Sequence, residues 1–234
     1  MMVTMNRDVA LIHTIGFPGN IAGGISLVLA PVLLLAGSLL RCRYPFFFIS
    51  QLAAYAEQPS LIIAAYSCFV AGNVLMCPAI LCLVQYIGIK CPTWAILGGL
   101  LVIFGLFTRT FHGGIDHLAF QLVTVQNLEM ATKAVADSYS AFHIMRYFNL
   151  TILLGWVILA IGSYRSGVFG WVRAIALGSM ALLPLGTLKG TKIESVIVTA
   201  ALCMTLVPFG IKLLRETAGK VSEWPFLLKK KNPK

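Results

Sequence analysis

"IAGGISLVLAPVLLLAGSLL", Ile21–Leu40, is 20 residues without one charged side chain. A helix of about that length crosses the ~30 Å hydrocarbon core of a bilayer. The run is longer than the apolar part of a cleaved leader, and Arg41-Cys42-Arg43 follows it rather than small residues suited to cleavage. We therefore read it as a retained first membrane span.

The rest of the chain continues the pattern. Hydrophobic residues make up 59% and charged residues 11%, with a mean hydropathy of +0.88. A soluble domain carries roughly 25% charged residues. So apolar a chain cannot cover a surface facing water, and its 234 residues are better counted in spans. Five more follow at Leu61–Ile87, Trp94–Phe111, Ala141–Ser163, Trp171–Leu188 and Ile193–Leu214. Backbone polar groups cannot go unpaired in lipid, and the alternation of barrel strands is absent, so the spans are helices. The expected fold is all-α: a polytopic bundle of six transmembrane helices with two interfacial segments. The membrane domain covers residues 1–214, and a basic tail covers 215–234.

Two connections are long. "RCRYPFFFISQLAAYAEQPS", Arg41–Ser60, carries three consecutive phenylalanines and is expected in the interface. In the second, His112–Ser140, the residues Ile115, Leu118, Leu122 and Val125 recur at helical spacing. It reads as a surface helix or as a continuation of the third span. Pro31, Pro78, Pro184 and Pro208 fall inside spans and shape the bundle. Gly23, Gly24, Gly98 and Gly99 are expected where helices approach closely.

The net charge of +10 is dispersed over short loops and the tail. That placement suits an anionic membrane face and not a duplex, so no nucleic-acid partner is expected. Trp224, Phe226, Leu227 and Leu228 can dip into head groups while Lys229, Lys230 and Lys231 pair with anionic lipid. With the termini inside, 11 of the 18 Lys and Arg residues fall on the inner side. The positive-inside rule then puts both termini in the cytoplasm. The six cysteines form no Cys-x-x-Cys pair and read as reduced packing residues.

The chemistry-bearing stretch is "TRTFHGGIDHLAFQ", Thr108–Gln121. On a helix Arg109, His112 and Asp116 share one stripe, with His117 beside it. A second stretch, "DSYSAFHIMRYFN", supplies Asp137, Tyr139, His143 and Arg146. If the third and fourth spans pair, these groups face one another at the outer ends of the helices. Arg109, His112, Asp116, His117, His143 and Arg146 are then candidate ligand-binding residues. Arg109–Asp116 is the expected ion pair, and Gly113-Gly114 is the point where the stripe could break. His112 and His117 do not match the H-E-x-x-H zinc pattern. The bland reading makes these residues interface anchors. Glu194 in "TKIES" reads as helix-start chemistry. No phosphate-binding loop, nucleophile elbow or dinucleotide fingerprint occurs, and no cofactor is expected.

From Ala141 the chain reads "AFHIMRYFNLTILLGWVILAIGSYRSGVFGWVRAIALG", an apolar helix, an Arg-Ser-Gly turn and a second apolar helix. With "NIAGGISLVLAPVLLLAG" near the start, this resembles a bacterial family of small six-span membrane proteins carrying only a domain-of-unknown-function label. The likeness covers roughly residues 20–215. It implies a bacterial inner-membrane location and brings no known catalytic residues; "HGGIDH" departs from it. The expected function is non-enzymatic: binding a lipid, a peptide or a partner membrane protein in an accessory or immunity-type role. The rival is a membrane enzyme or ion-coupled carrier built on the His/Asp/Arg cluster.

Overall fold

The computed structural model describes residues 18–45, 48–125, 127–141, 143–183 and 193–229, with side chains undescribed at 48, 139, 143–146, 149 and 219–229. All regular structure among the described residues is helical. In chain order the helices are α1 (Gly19–Arg41), α2 (Phe48–Glu57), α3 (Pro59–Gly88), α4 (Pro92–Val125), α5 (Leu128–Ala141), α6 (His143–Ser166), α7 (Trp171–Gly178) and α8 (Ile193–Lys229). A 3-10 turn, Ser179–Leu182, follows α7.

Four helices are long and apolar enough to cross a membrane: α1, α3, α4 and the Ile193–Ala218 part of α8. Two apolar segments are shorter, Leu150–Ser166 and Trp171–Leu182. Large apolar side chains point outward all round, among them Ile96, Phe107, Leu154, Ile175 and Met204. Scattered exposed leucines are ordinary on a soluble protein, but an outward apolar surface on every long helix is not. These helices are compatible with a multi-pass membrane protein.

Glycines set the helix contacts, as expected of Gly23, Gly24, Gly98 and Gly99. A Cβ on Gly24 would lie 2.9 Å from Leu214, and one on Gly23 would lie 2.6 Å from Cys82. Between α4 and α6 the contacts run Gly98 with Leu159, Gly155 with Val102, and Gly105 with Ile152. Rising numbers on one helix meet falling numbers on the other, so α4 and α6 are antiparallel. Thr151 ties them again by donating its hydroxyl to the Leu101 carbonyl at 3.0 Å. Likewise Gly37 of α1 meets Ala65 and Phe69 of α3, while Gly23 meets Cys82, so α1 and α3 are antiparallel. The ends Arg41, Pro59 and Val125 therefore lie toward the same side.

The chain builds two cores. The larger one joins the long helices, α6 and α7 around Leu27, Met76, Leu83, Trp156, Leu159 and Leu202. The smaller one gathers Leu52 and Tyr55 of α2, Ile62 of α3, Ala119 and Phe120 of α4, and Ala131 and Val135 of α5. The Phe120 ring stacks on Tyr55 at 4.7 Å and meets Tyr66 edge-on at 4.8 Å. We call this smaller unit the cap.

The cap revises the reading of both long connections. The second connection continues the third span: α4 runs unbroken through Gly113-Gly114 to Val125, and only then does α5 begin. At about 1.5 Å per residue α4 is roughly 50 Å long, well beyond the thickness of a hydrocarbon core. Its buried stripe is not the expected one. Leu118 and Val125 are exposed, while Ile115, Ala119, Phe120, Leu122 and Val123 pack into the cap. The first connection holds α2, anchored by Gln51 donating to the Pro45 carbonyl at 2.6 Å. Pro184 lies outside the described residues. The helix that begins with Glu194 in its first turn continues past Leu214 into the basic tail as far as Lys229.

Candidate functional site

Buried polar groups collect where the cap meets the long helices. The buried stripe of α1 passes Leu27, Ala30, Leu34, Gly37 and Ser38 and ends on Arg41, which is 9% exposed. The guanidinium lies over the Phe69 ring at 4.1 Å and over the Tyr66 ring at 5.6 Å. Arg41 and Tyr66 also interact electrostatically, and the charge of Asp116 on α4 acts on both. Three helices thus hold one cation, one phenol and one carboxylate in a single layer, with Arg41 buried and Tyr66 and Asp116 half-buried.

Arg109 lies on α4, seven residues before Asp116. Its charge and that of Arg41 oppose each other, and the charge of Arg109 also acts on His112. The Nε of Arg109 is enclosed and finds no acceptor among the described residues. The expected Arg109–Asp116 ion pair is absent among the described residues, where Lys212–Glu216 is the salt bridge found. The reason is helical geometry. Two turns, or about 10 Å, separate the pair along one continuous helix, and Asp116 faces Arg41 and Tyr66 instead. Burying two guanidiniums is costly unless their charge is matched. The layer carries more positive than negative charge among its described residues.

The remaining candidates divide. His112 is half-buried on the Arg109 side, and His117 is exposed. The side chains of Tyr139, His143 and Arg146 lie outside the described ones, so the proposed meeting of His112 with His143 does too. Asp137 is exposed on α5. Tyr139 belongs to α5 while His143 and Arg146 belong to α6, so this stretch is divided between two helices. Helices α4 and α6 do pack together, as the sequence reading required. Among the described residues no three His, Cys, Asp or Glu side chains are placed to hold a metal ion.

Comparison of the chain with known protein families, curated proteins and solved structures finds no match. Its chemistry is therefore argued from its own residues. Three of those residues escaped the sequence reading. Arg41 fell in the Arg41–Ser60 connection expected in the interface, although it continues the i, i+3, i+4 stripe of α1 and so could have been placed inward. Tyr66 and Asn73 gave no signal beyond being polar within an apolar run.

Proposed function

We propose that this chain is a multi-pass protein of a bacterial plasma membrane that binds the phosphate head group of an anionic phospholipid at the buried Arg41–Arg109 layer. The observation that carries this reading is the pairing of Arg41 with Tyr66 and Phe69 beneath the cap. A guanidinium held against aromatic faces is oriented for a bidentate acceptor, and phosphate has that geometry. A lipid also supplies negative charge beyond that of Asp116, the layer's carboxylate among the described residues.

In this reading six spans cross the bilayer, α1, α3, α4, α6, α7 and α8, with both termini cytoplasmic. Trp171–Leu182 covers only about 18 Å at 1.5 Å per residue, less than a full crossing. The bacterial location rests on the resemblance over residues 20–215, and the orientation rests on the distribution of Lys and Arg. Arg109 comes 17 residues after Pro92, about 25 Å along the helix. If Pro92 sits at the cytoplasmic interface, the Arg41–Arg109 layer lies near the outer one, within reach of head groups. The cap segments then occupy that interface. A partner peptide or membrane protein would have to present a comparable anion to the same layer.

Lipid retention tests the proposal. Native mass spectrometry of the detergent-solubilised protein, doped with equal phosphatidylglycerol and phosphatidylcholine, is expected to show one retained phosphatidylglycerol. Arg41→Gln is expected to weaken retention by about tenfold, the loss of one charge-assisted hydrogen bond of roughly 1.5 kcal/mol. Equal retention of both lipids by the wild type would contradict it.

A further inference from the structure

A second polar feature lies deeper, inside the bundle. A small cavity is bounded by α1, α3, α4, α6 and the 3-10 turn, and Asn73, Arg109 and Trp156 are its polar wall residues. The rest of the wall is apolar and includes Met76 and Met180. The space open to the centre of a water-sized sphere is about 10 Å³, room for about one such sphere.

The donors of this wall are unmatched. Trp156 is 1% exposed, yet its indole Nε1–H has no acceptor among the described residues. The Nε–H of Arg109 is enclosed and has none either. Neither group can accept a hydrogen bond. Asn73 is 6% exposed, and its amide can donate or accept. A water molecule here would satisfy the two donors but would have to direct its own hydrogens at Asn73 or at apolar wall. A monoatomic anion accepts from every donor and has no hydrogens to place. It also offsets the charge of Arg109, which has no salt bridge among the described residues.

We propose that this cavity is a binding site for one halide-class anion, held by Arg109 Nε–H, Trp156 Nε1–H and the Asn73 amide. Chloride is somewhat larger than water, and the flexible methionines Met76 and Met180 can yield to it. The site shares Arg109 with the head-group layer but does not rest on a lipid being bound there. It clamps α4 against α6 and α3, the three helices that supply its polar groups.

The test compares thermal unfolding of the purified full chain in sodium chloride and in sodium gluconate at equal ionic strength. Wild type is expected to unfold a few degrees higher in chloride, and the shift is expected to saturate. Trp156→Phe keeps an aromatic ring but removes the donor, and it is expected to lose the shift. Crystals soaked in bromide are expected to show an anomalous peak within hydrogen-bond distance of Trp156 Nε1 and Arg109 Nε. That peak decides the matter if Trp156→Phe fails to fold. Identical unfolding in both salts, a shift that survives in Trp156→Phe, or an ordered water without anomalous signal would overturn the proposal. None of these outcomes bears on phosphatidylglycerol retention through Arg41, so the two readings fail separately.

Discussion

Gly155→Leu is expected to prevent the bundle from assembling. A Cβ at Gly155 would lie 2.6 Å from the Val102 nitrogen and 3.0 Å from the Leu101 carbonyl carbon. These are backbone atoms of α4 and cannot turn aside as a side-chain tip can. Gly98 and Gly105 meet Leu159 and Ile152 on the same seam, so α6 cannot move away at one point without opening the others. Overpacking typically costs about 1–3 kcal/mol and occasionally more, and a clash between backbones belongs at the upper end. The expected result is a protein that inserts but aggregates on extraction, or that unfolds many degrees below wild type. Gly114→Ala is the control. No neighbouring atom lies within 4 Å of a Cβ there, and replacing a mid-helix glycine by alanine gains about 1 kcal/mol. It is expected to match or exceed wild type. Normal folding of Gly155→Leu would mean that α4 and α6 do not share this seam.

The second large effect is expected at Arg41. Breaking a fully buried charge pair costs about 3–5 kcal/mol; Arg41 is buried and Asp116 half-buried, so the cost here lies at or below the low end of that range. Arg41→Leu should therefore destabilise strongly, because Asp116 and the Tyr66 hydroxyl then lose the cation that acts on them. Asp116→Leu should destabilise as well. The double variant should cost less than the sum of the two, because the attraction between the two charges is then lost only once. Unfolding of the four proteins in one detergent gives the coupling directly, and a coupling of about 1 kcal/mol or more is expected. Additivity within about 0.5 kcal/mol would show that the two charges are independent and that the buried layer is not one unit.

These expectations depend on contacts of very different legibility. The four long helices could be read from sequence because each is an apolar run with no rival conformation in lipid. The glycine seams were partly legible, since small residues inside spans have few other uses. The course of α4 was harder. Its polar stretch with two glycines resembles a helix leaving the membrane, yet it stays helical because Ile115, Ala119 and Phe120 find Tyr55 and Tyr66 to pack on. That support comes from residues more than 50 positions away, and no local pattern reports it. The candidate site was half legible for the same reason. Arg109 and Asp116 were singled out together, but helix spacing holds them apart. The partner that sequence spacing could not supply is Arg41, brought in by the packing of α1 against α3. Trp156 and Asn73 meet Arg109 only through the packing of three helices, so no spacing rule could have joined them.

The central claim is that an anionic head group sits between the cap and the long helices. Photo-crosslinking in a bilayer tests it most directly. The full chain would be reconstituted with phosphatidylglycerol carrying a diazirine beside its phosphate, irradiated, and mapped by peptide mass. Adducts are predicted on Cys42–Phe69 and Arg109–Phe120, the segments that frame the layer, and they should be lost in Arg41→Gln. Adducts spread only over outward residues such as Ile96, Leu154 and Val172, and unchanged in Arg41→Gln, would contradict the account.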